Sequence, residues 1–147
     1  MDESGINRYL YREYGYALRG VAVEGKIQGK KFERLNMVAA KCGDLIVERW
    51  EYTCTMNSKL FELWFVVLLK VIPTGSVIVM DNASWHRKKV LIALAETAGC
   101  RIIFLPPYSP DFNPIEQVWA NLKIFIKNHM RNFSSLALAV FHYFQMS

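Results

Sequence analysis

Asp81 and Glu116 are the residues whose settings best suit chemistry. Asp81 follows the wholly apolar run Val77, Ile78, Val79, Met80 and precedes Asn82, whereas Glu116 closes the stiff segment Pro106-Pro107-Tyr108-Ser109-Pro110-Asp111-Phe112-Asn113-Pro114-Ile115. An acid ending a buried strand and an acid opening a later helix can meet at one sheet edge and hold metal ions there. With Asp2 as a third acid, the set is a candidate centre for processing phosphodiesters.

Each of these residues also has a plainer role open to it. Asp81 can cap the helix that follows, with Asn82 and Ser84 as rivals, since an anion at a buried strand end costs free energy unless compensated. Asn113-x-x-Glu116 has the form of a capping box. That role is compatible with metal binding, because the helix dipole keeps a first-turn carboxylate ionised. Asp2 and Glu3 stand at the start of the sequence, where acids are commonly solvated, and nothing in the local pattern makes them catalytic. His86 can orient a carboxylate, touch a phosphate or simply begin a solvated helix. Arg87, Lys88 and Lys89 form either a solvated face or a set of phosphate contacts. Lys123 and Lys127 lie two and three turns beyond Glu116 on roughly its helical face and can border a nucleic-acid track. Trp119 belongs in the core by its pattern, and the prolines of the preceding loop fix where Glu116 points.

The elements that must position these residues are legible in outline. Residues 33–40 and 45–52 read as an antiparallel hairpin turning at Cys42-Gly43-Asp44. Asn57 or Ser58 can cap a buried helix running to about Val71, with Pro73 and Gly75 as stops. Val77 to Met80 is a strand covered on both faces. Residues 87–98 place Val90, Leu91, Leu94 and Ala98 on one helical face closed by Gly99, and residues 101–105 form another buried strand. Asn113 caps a further helix with Pro114 at its first position and a stripe of Ile115, Val118, Leu122, Phe125 and Ile126. Ser134 or Ser135 caps a last helix, residues 136–144. Residues 9–29, aromatic, basic and punctuated by glycines, read as loops and a short ribbon. Helix, strand, helix, strand over residues 60–105 favours parallel pairing through right-handed crossovers, hence an α/β domain with a mixed sheet.

Composition sets the outer bounds. At 147 residues and 52% hydrophobic, the chain is one domain's worth with a real core. The run over residues 60–72 is interrupted by Glu62 and Lys70 and falls short of the ~20 residues that cross a bilayer. No leader with a cleavage site is visible, so a cytoplasmic protein with no membrane partner is expected. Cys42, Cys54 and Cys100 lack zinc-site spacing and read as reduced, buried thiols. The net charge of +5 is uneven: residues 1–81 hold 11 basic and 10 acidic side chains, residues 82–147 hold 7 and 3. The half with the candidate site is the more cationic, which suits a polyanionic partner.

Asp81-Asn82-Ala83-Ser84-Trp85-His86 and the run from Leu105 to Glu116 closely resemble the signature of mariner-superfamily transposases, especially the bacterial insertion-sequence branch of IS-six-thirty type. In that family Asp-Asn-x-x-x-His supplies the second acid and Leu-Pro-x-Tyr-Ser-Pro-x-x-Asn-Pro-Ile-Glu the third. Here 34 residues separate Asp81 from Glu116, and Val118-Trp119 with Leu122-Lys123 extends the likeness. Asp2-Glu3-Ser4-Gly5 resembles the segment with the family's first acid, and Tyr14-Gly15-Tyr16-Ala17 with Arg19-Gly20 resembles the loop that follows.

The resemblance implies an RNase H-like DDE endonuclease fold, a mixed sheet flanked by helices. It implies that Asp2, Asp81 and Glu116 hold two Mg²⁺ ions about 4 Å apart, with Mn²⁺ able to substitute, for DNA cleavage and strand transfer in cut-and-paste transposition. DNA is then the partner, as element ends and as target, with a homodimer as the working complex near the nucleoid. His86, Arg87, Lys88, Lys89, Lys123 and Lys127 are the expected DNA contacts. Relatives carry helix-turn-helix modules and a complete first strand before the first acid. The chain opening at Met1-Asp2 is therefore expected to be an N-terminally truncated catalytic domain, residues 1–147, whose first strand is largely missing. A non-catalytic remnant that only binds DNA or a full-length transposase is the alternative of another class, and a junction resolvase is a third.

Overall fold

The computed structural model describes residues 1–8, 33–107 and 109–146 of the chain. The loops and ribbon expected over residues 9–29 lie outside them, as does Tyr108. Strand β1 (Asp2–Asn7) pairs antiparallel with β2 (Arg34–Cys42), which pairs antiparallel with β3 (Leu45–Tyr52). Gly43, at φ 56°, makes the β2–β3 turn in the left-handed region that glycine enters without penalty. Helix α1 (Ser58–Val71) leads to β4 (Val77–Met80), and α2 (Lys88–Thr97) crosses over to β5 (Arg101–Phe104), parallel to β4. A 3-10 turn at Pro110–Phe112 precedes α3 (Ile115–His129), and α4 (Leu136–Met146) ends the described chain.

Side-chain alternation along the strands divides the interior into two layers. From β2, Leu35, Met37 and Ala39 enter a core shared with Ile6, Ile115, Trp119, Leu122, Ile126, Leu136 and Val140, beneath α3 and α4. Val38, of opposite parity, joins Met1, Phe61, Trp64, Phe65, Leu68, Ile78, Met80 and Leu91 beneath α1 and α2. Helix α1 is started by Asn57, whose Oδ1 accepts the Leu60 amide at 3.0 Å, and it buries Phe61, Trp64, Phe65 and Leu68. At about 1.5–3 kcal/mol per fully buried large apolar side chain, that face fixes the helix on the sheet. Trp64 Nε1 also donates to the Glu48 carbonyl at 3.0 Å, tying α1 to β3.

Several expectations shift. The face of α2 is rotated: Leu91 and Ala95 are buried while Val90 is exposed, because the helix packs on α1 as well as on β5. Only Cys100 of the three free thiols is buried; Cys42 and Cys54 end up exposed, at the β2–β3 turn and beyond β3. Ser135, not Ser134, caps α4 through its hydroxyl, which accepts the Leu138 amide at 3.2 Å. The sheet is in two pieces, β1-β2-β3 and β4-β5. Across the seam, the Met1 ammonium donates to the Val79 carbonyl at 2.8 Å. Asp2 opens a six-residue β1 rather than ending a strand, and every residue of that strand is paired with β2. No helix among the described residues is long and apolar enough to cross a membrane.

Candidate active site

The same alternation aims the acids. Ile6 lies in the core beneath α3, so Asp2, four residues earlier on the same face, leaves the sheet on the α3 side. Glu3 shares its face with Met1, whose side chain lies beneath α1. Ile78 and Met80 also point toward α1 and α2, so Asp81, one residue on, is directed back toward α3. Glu116 stands in the first turn of α3. Asp2, Asp81 and Glu116 therefore line one open cleft of about 400 Å³ with Asn82, Pro106, Pro107 and Asn113.

The carboxyls crowd one another. Burial, and then repulsion from Glu116 and Asp81, push the Asp2 carboxyl up to about 7 against the opposing pull of the Glu3 backbone amide. Glu3 is pushed up to about 8 by burial and by the charges of Asp2 and Asp81. Among the described residues, no three His, Cys, Asp or Glu side chains form a ready-made metal cage. The donor set nevertheless fits a hard divalent cation: it is all oxygen, it opens to solvent, and its mutual repulsion is what a positive ion relieves.

Asn113 does not build the expected capping box. Its side chain is buried, its amide donates to the Met1 carbonyl at 3.4 Å, and α3 starts with no side-chain cap. The Glu116 amide instead bonds the Asn113 carbonyl at 3.0 Å. Asn113 thus ties α3 to the start of β1, holding Glu116 beside Asp2. Its sequence setting suggests a local cap because a partner 112 residues away leaves no local signal.

His86 is buried rather than solvated, packed on the rings of Phe61 and Trp85 with centroids 4.5 and 4.1 Å away. Its Nδ1 is 3.6 Å from Asp81 Oδ1. Burial holds the imidazole below its usual pKa, opposed by Asp81. Together with Asp2, Glu3 and Asp81 it lines a second cavity, of about 150 Å³, on the α1 side. Glu3 was the missed residue; its position next to Asp2 in a strand was the available signal. Among the candidate cations, Arg87 is exposed but engaged, its Nε donating to Glu62 at 2.6 Å and its second nitrogen to the other Glu62 oxygen. The Lys88 ammonium sits 5.3 Å from the centroid of the Phe104 ring. Lys89 and Lys127 are exposed and Lys123 half-buried.

On this two-layered α/β frame, three acids gathered where β1, β4 and α3 meet make an all-oxygen site able to hold divalent cations. The chain belongs to the DDE superfamily of endonucleases, whose family model matches residues 1–137. Its structure is similar to that of the Mos1 transposase paired-end complex with left transposon end, with a TM-score of 0.71 at 15% identity over 99% of this chain and 47% of that one. The expected RNase H-like fold is therefore present. The chain is also 41% identical over 44 residues to the uncharacterized protein y4pE/y4sA of Sinorhizobium fredii (strain NBRC 101917 / NGR234), covering 30% of each. It thus spans about half of the Mos1 chain and less than a third of the Sinorhizobium protein.

Proposed function

We propose that residues 1–147 are the catalytic domain of a mariner-type transposase. It cuts DNA at the ends of an insertion sequence and joins them to target DNA, with Asp2, Asp81 and Glu116 as ligands of two Mg²⁺ ions. The observation that carries this reading is the convergence of three acids, from three separate elements, on one open cleft. When bound, the ions supply activation of a water or DNA 3′-hydroxyl and stabilisation of the leaving oxygen, and Mn²⁺ substitutes for Mg²⁺. Asp81 and Glu116 flank the cleft from a strand end and a helix start, both anchored by buried neighbours, so the carboxyls are held without large rearrangement. Asp2 is held between them by its pairing with Ala39. His86, packed among aromatic rings, limits the rotation of Asp81 from behind.

DNA approaches from the open side. Lys123 and Lys127 on α3 and Lys88 and Lys89 at the start of α2 are its proposed phosphate contacts, in the half of the chain with 7 basic and 3 acidic side chains. Arg87, engaged with Glu62, contributes through the same edge of α2. The working unit is a homodimer pairing two element ends, in the cytoplasm at the nucleoid, with terminal-repeat recognition by modules outside these 147 residues.

The test is nicking of supercoiled plasmid by the 147-residue protein in Mg²⁺ or Mn²⁺. Nicking that needs the ion and falls to background in Asp81→Asn is expected. Equal nicking by that variant would remove Asp81 from its role, and DNA binding without nicking in either ion would assign a binding role in place of catalysis.

A further inference from the structure

Gly5 on β1 stands opposite Asn36 on β2, and Asn36 stands opposite Tyr52 on β3, so the three form one row across the sheet. Parity puts that row on the face that Met1 and Val38 bury beneath α1. Here the face opens into a cavity of about 590 Å³ lined by Glu3, Gly5, Arg34, Asn36, Tyr52 and Trp85. That volume is within the range of about 300–1,000 Å³ found for ligand clefts. Glu3 and Trp85 also line the smaller cavity that Asp2 and Asp81 border, so the site adjoins the acid cleft through shared walls.

The cavity combines a held cation with aromatic walls. Gly5 leaves a gap in the row, and the Arg34 guanidinium occupies it: a Cβ at Gly5 would stand 2.8 Å from Arg34 Nη2. Arg34 Nε donates to Asn36 Oδ1 at 3.1 Å, and the Asn36 amide donates in turn to the Cys54 carbonyl at 3.0 Å. The fork is thus oriented through its inner nitrogen, while among the described residues no carboxylate pairs with it. Its outer nitrogens are left for a ligand, and a planar fork matches a phosphate better than a point charge does. Tyr52 and Trp85 are half-buried. The Trp85 carbonyl accepts the Ser58 hydroxyl at 2.7 Å and its ring meets Phe61 edge-on at 5.4 Å, so this wall is fixed to α1.

We propose that this cavity receives one unpaired base of the DNA strand processed at the acids, its ring against Trp85 and Tyr52 and its flanking phosphate on Arg34. The inference rests on the DNA-processing reading and adds to it a subsite outside the acid cleft. A phosphate alone would leave the aromatic walls unused and meet the Glu3 carboxyl, whereas an apolar ligand would strand the guanidinium. A nucleotide satisfies both ends, since every base has a face to stack and N–H or ring-nitrogen edges that a carboxyl can bond.

A short duplex carrying one unpaired 2-aminopurine, and the same duplex fully paired, are titrated with the 147-residue protein in EDTA and followed by anisotropy. The unpaired form should bind at least about fivefold more tightly, the lower end of what one base gains on an aromatic ring. Its 2-aminopurine fluorescence should fall on binding. Arg34→Gln and Trp85→Ala should each remove most of the preference while leaving affinity for the paired duplex unchanged, and Trp85→Phe should retain it. Gly5→Ala, which displaces the fork, should weaken it as Arg34→Gln does. Because the Trp85 ring also packs on Phe61, Arg34→Gln, at an exposed side chain, decides the matter if Trp85→Ala unfolds. Equal affinity for the two duplexes, or a preference untouched by Arg34→Gln, overturns the proposal. Equally tight binding of the free 2-aminopurine deoxynucleoside monophosphate also overturns it, by assigning the cavity to a mononucleotide. Asp81→Asn should keep the preference: nicking without the preference sinks this inference alone, and the preference without nicking sinks the catalytic reading alone.

Discussion

Asp2 is a carboxyl surrounded by carboxyls, and its proton affinity can be measured through stability. Its pKa is raised from 3.8 to about 7 in the folded chain. Between those values the folded state holds a proton that the unfolded chain has released, so stability falls as pH rises through the window. Glu3, pushed up to about 8, carries the fall about one unit further. In EDTA the melting temperature should therefore drop by several degrees between pH 5 and pH 8. The drop should shrink in Asp2→Asn, and Mg²⁺ should restore the loss at pH 8; a melting temperature flat across this range would show that the carboxyls are not crowded. Asp81 and Glu116 were legible as candidates because a strand end and a helix start leave local marks. Asp2 was legible only through resemblance to a family. The half-buried setting of Glu3 and the aromatic packing of His86 were hidden, since both depend on which helix lies across the sheet.

At the scale of elements, the turns and caps were the readable part. Gly99 was expected to close α2, and it does so at φ 70°, its carbonyl accepting the Gly75 amide at 2.9 Å. A Cβ there would stand 2.6 Å from Thr74 Cγ2. Gly99→Ala should cost about 1–2 kcal/mol in urea unfolding, from the left-handed backbone together with the clash. A loss below a few tenths would mean that the α2–β5 connection relaxes freely. The hairpin, α1 and both parallel strands fall within a residue or two of their expected bounds, because apolar period and breakers agree there. The capping box failed for the opposite reason: Asn113 has the spacing of a local cap, but its side chain bonds a distant partner in a buried setting instead.

For the whole molecule, the mixed sheet was legible in its order of elements but not in its seam, which depends on how far β1 reaches along β2. The charge imbalance was readable at once, and its consequence is a salt dependence. Lys123→Ala with Lys127→Ala should weaken DNA binding and flatten the slope of log K against log salt by about 1.8, near 0.9 for each phosphate left without its lysine. An unchanged slope in fluorescence anisotropy would place the DNA elsewhere. The opposed facing of Asp2 and Glu3 has one more outcome. Sliding β1 by a single position along β2 would exchange the two acids, sending the longer side chain to the α3 cleft and the shorter one under α1. Ile6, locked beneath α3, forbids that slip, so an aliphatic residue remote from the cleft decides which acid enters it.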